Sequence, residues 1–206
     1  MIDLHREFGD IDIYLFDQLL RGRITPGMRV LDAGCGGGRN LVYLLRAGFD
    51  VSATDADARA VTDLRTMVSA IGANIPAANF RVEAVEDMSF PEVSFDVVVS
   101  SAVLHFAGDD RQFDAMVGSM WRVLKPGGLL FARLASTIGI ERLVQPVDGR
   151  RHLLPDGSQR YLVDEAMLIE LGRRLHGTLV DPIKTTVVQG QRAMTTWVLR
   201  KNMITS

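Results

Sequence analysis

The sequence predicts an α/β fold: a three-layer sandwich whose mostly parallel, seven-stranded sheet closes with a C-terminal antiparallel hairpin. Three observations predict it. Strand-like and helix-like segments alternate from about residue 29 to 134, the pattern of parallel strands joined by right-handed crossovers. Residues 95–100, Phe-Asp-Val-Val-Val-Ser, are almost wholly apolar, as a strand covered on both faces is. Residues 179–188 and 192–200 read as strands separated only by Gln189-Gly190-Gln191, a tight hairpin loop.

Each element has its own signal. Ile11, Tyr14, Leu15 and Leu19 recur at helical spacing, which predicts an amphipathic helix over 10–21, ended by Gly22 and Pro26-Gly27. Residues 29–33 form a short buried strand. A helix over 40–47 turns Leu41, Leu44 and Leu45 inward, with Gly48 as its stop. Strand 50–55 follows. The helix over 58–71 aligns Val61, Leu64, Val68 and Ile71, with Asp57 where an N-cap is wanted. Strands 80–85 and 95–100 come next. Phe113, Met116, Val117, Met120, Trp121 and Leu124 mark a helix. Lys125-Pro126-Gly127-Gly128 breaks it before strand 129–134. Residues 147–162, with the turn Pro155-Asp156-Gly157, read as an irregular excursion or hairpin. A helix over 163–175 is closed by Gly177.

Bulk properties narrow the function classes. The 206 residues, 47% apolar, suit one domain spanning 1–206. A net charge of -2 gives no nucleic-acid footprint. Cys35 is the single cysteine, so neither an intramolecular disulfide nor a cysteine zinc cluster can form, and the four histidines are scattered. A reducing, cytoplasmic compartment is expected. No apolar run nears the roughly 20 residues of a membrane span, and the charged N-terminus has no signal-peptide core.

The chemistry concentrates after the first strand, in Asp32-Ala33-Gly34-Cys35-Gly36-Gly37-Gly38-Arg39. Glycines at 34, 36 and 38 strip side chains from a sharp turn and let a ligand approach the backbone. The dinucleotide fingerprint G-x-G-x-x-G would put its third glycine at position 39, which is arginine. Asp55 ends the second strand, where a carboxylate can accept hydrogen bonds from both hydroxyls of a ribose. Asp57 already fills the helix-capping role beside it. Gly34–Gly38, Asp55, Val85 and Ser100 all lie at or past strand ends, so they line one crevice at the switch in strand order. His105 can accept a proton from a nucleophile near neutral pH; a packed, structural histidine fits the same position. Cys35 has no evident activating base. Tyr14 and Phe16 suit either a lid or ordinary packing, and Arg150-Arg151-His152 suits a solvated face or the border of a substrate mouth.

Four blocks in register carry a resemblance: Val30–Gly38, Asp55, Phe95–Ser100 and Leu124–Gly128. Over about residues 28–135 the chain resembles the class I S-adenosylmethionine-dependent methyltransferases. Gly38–Leu44 is also similar to the segment after the glycine loop in tellurite-resistance methyltransferases. The resemblance implies a Rossmann-like fold with S-adenosyl-L-methionine as cofactor. It implies that Gly34, Cys35 and Gly36 pack their backbone against the methionine part, with Asp32 supporting the loop or the amino group. Asp55 would hold the ribose, Ala56 and Val85 would lie by the adenine, and the backbone at Ser100 would run toward the sulfonium. Where the family often has an aspartate for the adenine amino group, this chain has Ala84, leaving Glu86 as the nearest substitute acceptor; a solvated loop charge fits the same residue.

The function this implies is methyl transfer to a small-molecule acceptor by in-line displacement, enclosed by an N-terminal lid (about 1–22) and a substrate-side insertion (about 136–162). No metal, membrane or nucleic-acid partner is expected. An RNA or protein methyltransferase, an NAD-dependent oxidoreductase and a catalytically silent cofactor-binding module are the competing readings.

Overall fold

The computed structural model describes residues 3–203. Two short helices, α1 (Leu4–Phe8) and α2 (Ile13–Leu20), precede the sheet. The first is an addition to the single helix expected over 10–21. The second starts later than expected because Asp12 is extended and caps it, accepting from the Tyr14 N–H at 3.0 Å.

The chain then alternates: β1 (Arg29–Ala33), α3 (Val42–Arg46), β2 (Asp50–Asp55), α4 (Ala58–Ile71), β3 (Phe80–Val82), β4 (Phe95–Ser101), α5 (Asp110–Val123) and β5 (Leu124–Ala135). Three short strands follow, β6 (Gln145–Asp148), β7 (Arg151–Leu153) and β8 (Gln159–Tyr161). After α6 (Glu165–Arg174) come β9 (Gly177–Leu179), β10 (Lys184–Val188) and β11 (Arg192–Lys201). Among the described residues, no helix is long and apolar enough to cross a membrane.

The main sheet runs β10-β11-β5-β4-β1-β2-β3, with β9 paired to β11 as an additional strand. The β1–β2, β2–β3, β1–β4 and β4–β5 pairs are parallel, whereas β11 is antiparallel to β5, β9 and β10. Successive strand residues face opposite layers, as the pleat requires. Val30, Val97, Val99 and Phe131 pack against α3 and α4, while Leu31, Val98, Leu130 and Leu199 pack against α5 and α6. The result is a sheet buried between two helical layers.

Several bounds differ from the sequence reading for physical reasons. The strand expected at 179–188 is two strands, both along one edge of β11. Pro182 between them lacks an N–H and cannot hold the ladder. The expected strand 80–85 stops at Val82, and Val85–Asp87 is a single 3-10 turn. Lys125-Pro126-Gly127-Gly128 lies inside β5 rather than before it; Leu124 is the first residue of that strand and buried. In place of the irregular excursion or hairpin expected over 147–162, the strands over 145–161 form a three-stranded antiparallel sheet.

Candidate functional site

Strand order puts the carboxyl ends of β1 and β4 side by side, because the chain proceeds outward through β2 and β3 before returning to β1's other flank. A cleft of about 860 Å³ opens there. It lies within the roughly 300–1,000 Å³ range of small-molecule sites.

The glycine loop forms its floor. The N–H groups of Gly34 and Cys35 both donate to the Thr54 carbonyl, at 2.8 and 3.0 Å, which ties the loop to β2. Two glycines are sterically required. A Cβ on Gly34 (φ +81°) would stand 2.6 Å from both methyls of Val103, and one on Gly38 (φ +83°) would stand 2.6 Å from Leu64 Cδ1 on α4. Gly38 thus supplies the close loop-to-helix contact that a dinucleotide site assigns to the next position, where this chain has Arg39. At Gly36, by contrast, a Cβ would meet nothing within 4 Å. That residue presents bare backbone to the cleft.

Asp55 stands at the end of β2. Its Oδ2 accepts from the Gly36 N–H at 2.8 Å and its Oδ1 from the Asp57 N–H at 2.9 Å. Each carboxylate oxygen keeps a lone pair for a further donor. Asp55, Ala56, Val85 and Glu86 line the cleft together with Ala84. Glu86 Oε1 accepts from Gln112 Nε2 of α5 at 2.7 Å, which fixes the carboxylate at the rim.

Asp32 lies beneath the loop, 1% exposed and outside the residues that line the cleft, and neither carboxylate oxygen has a hydrogen-bond partner among the described residues. Burial raises its pKa to about 7, opposed by the charge of Arg39 and reinforced by Asp55. Cys35 lines the cleft, but burial first, then Asp32 and Asp55, pushes its thiol far above the usual range. A thiol held in that state is a poor nucleophile.

Ser100 is fully buried within β4 and its hydroxyl has no partner among the described residues. The next residue, Ser101, is the one that reaches the cleft. Its Oγ accepts from Arg39 Nη2 at 3.0 Å and donates to Asp12 Oδ2 at 3.2 Å. Asp12 Oδ2 also pairs with Arg133 Nη1 at 2.9 Å, and the Asp12 N–H donates to Asn40 Oδ1 at 3.0 Å. This buried network anchors the N-terminal segment over the cleft, where His5, Arg6, Gly9 and Asp10 complete the lining. Tyr14 and Phe16 point elsewhere: the Tyr14 hydroxyl meets Thr186 Oγ1 at 2.7 Å, and Phe16 packs edge-on against Phe8. Sequence reasoning missed Asp12, Arg133 and Gln112, because their partners are far away in the chain. Arg39 was legible only as a missing glycine.

A second cavity of about 260 Å³ adjoins the first, and Ala102 lines both. Ala102 adopts φ +65°, a strained conformation for a residue with a Cβ. Its N–H donates to the Arg133 carbonyl at 2.7 Å. His105 faces this second cavity rather than the glycine-loop cleft. Its Nδ1 accepts from the Ala135 N–H at 3.2 Å, and burial, helped by Arg160, lowers its pKa to about 4. The ring is therefore neutral at neutral pH, with its proton on Nε2. The insertion supplies Leu154, Ser158 and Arg160 to this cavity, whereas Arg150 is engaged with Asp164 at 2.9 Å outside it.

Comparison with known proteins agrees with this arrangement. The family model for the methyltransferase domain matches residues 31–132. An uncharacterized methyltransferase of Synechocystis sp. is 37% identical over 106 residues, covering 52% of this chain and 46% of its own. A ubiquinone biosynthesis O-methyltransferase of Sinorhizobium fredii is 29% identical over 137 residues, covering 66% of this chain and 53% of its own. The chain thus spans about half the length of these curated relatives. Among solved structures, TehB from Haemophilus influenzae has the same fold, with a TM-score of 0.71 at 20% identity over 93% of this chain and 63% of that one. The sheet order, the glycine loop with Asp55 at its rim and the matched domain together assign the chain to the class I S-adenosylmethionine-dependent methyltransferase family.

Proposed function

We propose that the chain binds S-adenosyl-L-methionine in the glycine-loop cleft and transfers its methyl group to a small-molecule acceptor seated in the second cavity. The observation that carries this reading is Asp32. A buried carboxylate with two unpartnered oxygens is costly, and a ligand ammonium over the loop would offset that cost. Asp55 is set to accept from the ribose hydroxyls. Ala56 and Val85 flank the place for the adenine, and Glu86, steadied by Gln112, is the acceptor for its amino group in place of the aspartate that Ala84 replaces. The backbone at Gly34, Cys35 and Gly36 runs along the methionine part, and Ser101 rather than the expected Ser100 faces it from β4.

S-adenosylmethionine supplies a methyl group already activated by its positive sulfur. The chain's task is then alignment of the acceptor and exclusion of water. The Asp12 network holds the N-terminal segment across the cleft, and Ala102 sets the seam between donor and acceptor sides. His105 is assigned to positioning the Ala135 backbone, since its Nδ1 is occupied and its pKa lies too low for a base at neutral pH. The small second cavity and the likeness to a ubiquinone biosynthesis O-methyltransferase favour a small acceptor over RNA or protein.

Calorimetric titration with S-adenosylmethionine, S-adenosylhomocysteine and NAD tests the donor assignment. Binding of the first two without NAD is expected, and preferential binding of NAD would overturn it. Incubation with methyl-labelled S-adenosylmethionine and a nuclease- and protease-treated extract tests transfer. Label in small molecules is expected. Label entering only untreated RNA or protein would reassign the acceptor, and cofactor binding without any transfer would make the chain a silent binding module.

A further inference from the structure

The second cavity carries more charge than a pocket for a neutral acceptor needs. Three elements each contribute an arginine to its wall: Arg133 from β5, Arg160 from β8 and Arg192 from β11. Among the described residues, Asp156 is the only carboxylate lining it. That carboxylate is held below its usual range by Ser158, whose Oγ and N–H donate to Oδ1 at 2.6 and 2.9 Å. Asp12 lies behind Arg133 as its ion-pair partner. Asp12 is shared with Arg39, whose Nη2 stands 3.9 Å from the same Oδ2, so the guanidinium groups of the wall outnumber the carboxylates that face them.

The excess is also visible as unused donors. Arg133 Nε is buried and has no partner among the described residues. Arg160 spends one Nη1–H on the neighbouring Gln159 carbonyl at 2.7 Å, and its guanidinium stands 4.8 Å over the Phe106 ring. Among the described residues the Arg192 side chain has neither an ion-pair nor a hydrogen-bond partner, its backbone alone being paired with β10. Of these groups the Arg133 Nε is the buried one, and a buried donor without an acceptor is costly unless a ligand supplies one. The rest of the wall is apolar, from Ala135, Leu154, Val188 and Met194.

We propose that the methyl acceptor is a small organic acid, with a monoanionic carboxylate held by Arg133, Arg160 and Arg192 and an apolar body turned toward Ala102. The inference rests on the methyl-donor reading of the adjoining cleft. A carboxylate offsets the excess positive charge, and guanidinium groups bind carboxylates in bidentate geometry. Anchoring the acid end at the arginines points the other end of the molecule at the strained seam, where the two cavities meet.

The test uses benzoate and hexanoate as probes, with benzamide and hexanamide as neutral counterparts and phenyl phosphate as a dianion. Each is titrated onto the protein saturated with S-adenosylhomocysteine, with binding followed by ligand-observed NMR. The acids are expected to bind at least about tenfold more tightly than the amides, the scale of one charge-assisted hydrogen bond. Arg192→Ala, at an exposed position, is expected to remove most of that difference while leaving S-adenosylhomocysteine affinity unchanged. Equal binding of acids and amides, no binding of either acid, or indifference to Arg192→Ala would overturn the anion site. Tighter binding of phenyl phosphate than benzoate would overturn the carboxylate assignment. If S-adenosylhomocysteine itself does not bind, the methyl-donor reading fails, and the acid-against-amide comparison on the protein alone still decides the anion site.

Discussion

The carboxylate of Asp12 accepts from the guanidinium of Arg133 at 2.9 Å, joining the N-terminal segment to β5 across 121 residues of chain. The Asp12 side chain is wholly buried, and the same Oδ2 also receives the Ser101 hydroxyl. Removing it strands Arg133 and leaves Arg39 and Ser101 without their shared acceptor. Breaking a buried ion pair from one side costs about 3 kcal/mol. For a chain of this size that is a fall in Tm of roughly 6–12 °C. Asp12→Ala is expected to show this loss by differential scanning fluorimetry. Asp12→Asn keeps the α2 cap and loses less. Both variants should bind S-adenosylmethionine more weakly by calorimetry, because the cleft wall from His5 to Asp10 is anchored through this residue.

The glycine loop separates a packing demand from a binding demand. At Gly34 a methyl group meets Val103 at 2.6 Å and the backbone has φ +81°. At Gly36 the backbone has φ +51° but the space around a Cβ is open. Gly36→Ala should therefore cost only the left-handed backbone penalty, about 1–2 kcal/mol, while its methyl intrudes on the ligand and weakens S-adenosylmethionine binding about tenfold or more. Gly34→Ala should cost more stability than that. Adding Val103→Ala to Gly34→Ala removes the clash but not the backbone penalty, so partial recovery of Tm is expected. A double mutant whose losses simply add would show that Val103 is not the obstacle.

The parallel half of the fold was readable because its signals are local. Val97, Val98 and Val99 announce a strand covered on both faces, and Gly34, Gly36 and Gly38 announce a bare turn after the first strand. Asp55 was legible as a rim residue because it ends a strand at the switch in strand order. What the sequence hid depends on tertiary neighbours. No local feature says that Glu86 is steadied by Gln112 of α5. None says that Ser101 rather than Ser100 reaches the cleft, a matter of one step in the pleat. The arginine cluster is hidden for the same reason: Arg133, Arg160 and Arg192 lie on three strands of two different sheets. Asp32 and His105 were visible as residues, but their protonation was not, because burial sets it.

His105 offers a direct check on that last point. Its pKa is lowered to about 4, chiefly by burial and further by Arg160. In the unfolded chain a histidine titrates near 6.5. Between those values the unfolded state binds more protons, so the stability due to neutral His105 is lost as pH falls from about 6.5 through 4. The expected NMR result is an imidazole resonance that does not titrate between about pH 5 and 8. A midpoint near 6.5 would contradict the burial and reopen a proton-accepting role. His105→Gln should lower Tm without introducing a new ionisation into a pH–rate profile, as expected of a residue that only positions the Ala135 backbone.

Asp32 runs the opposite way, and it ties stability to binding. Burial raises its pKa from 3.8 to about 7. The folded protein therefore keeps a proton that the unfolded chain releases near pH 4, so stability falls as pH rises from about 4 to 7 and stays reduced above that. The cost at pH 8 is on the order of 4 kcal/mol. Asp32→Asn removes the charge and should raise Tm relative to the native chain at about pH 8, with little difference at about pH 5. A ligand ammonium would prefer the ionised carboxylate. Calorimetry should accordingly find S-adenosylmethionine binding the native protein more tightly at about pH 8 than at about pH 5.5, and Asp32→Asn binding it weakly at both. A variant both more stable and still tight for the methyl donor would remove Asp32 from the site. Greater stability with lost affinity would mark a carboxylate kept at a cost to the fold for the ligand it receives.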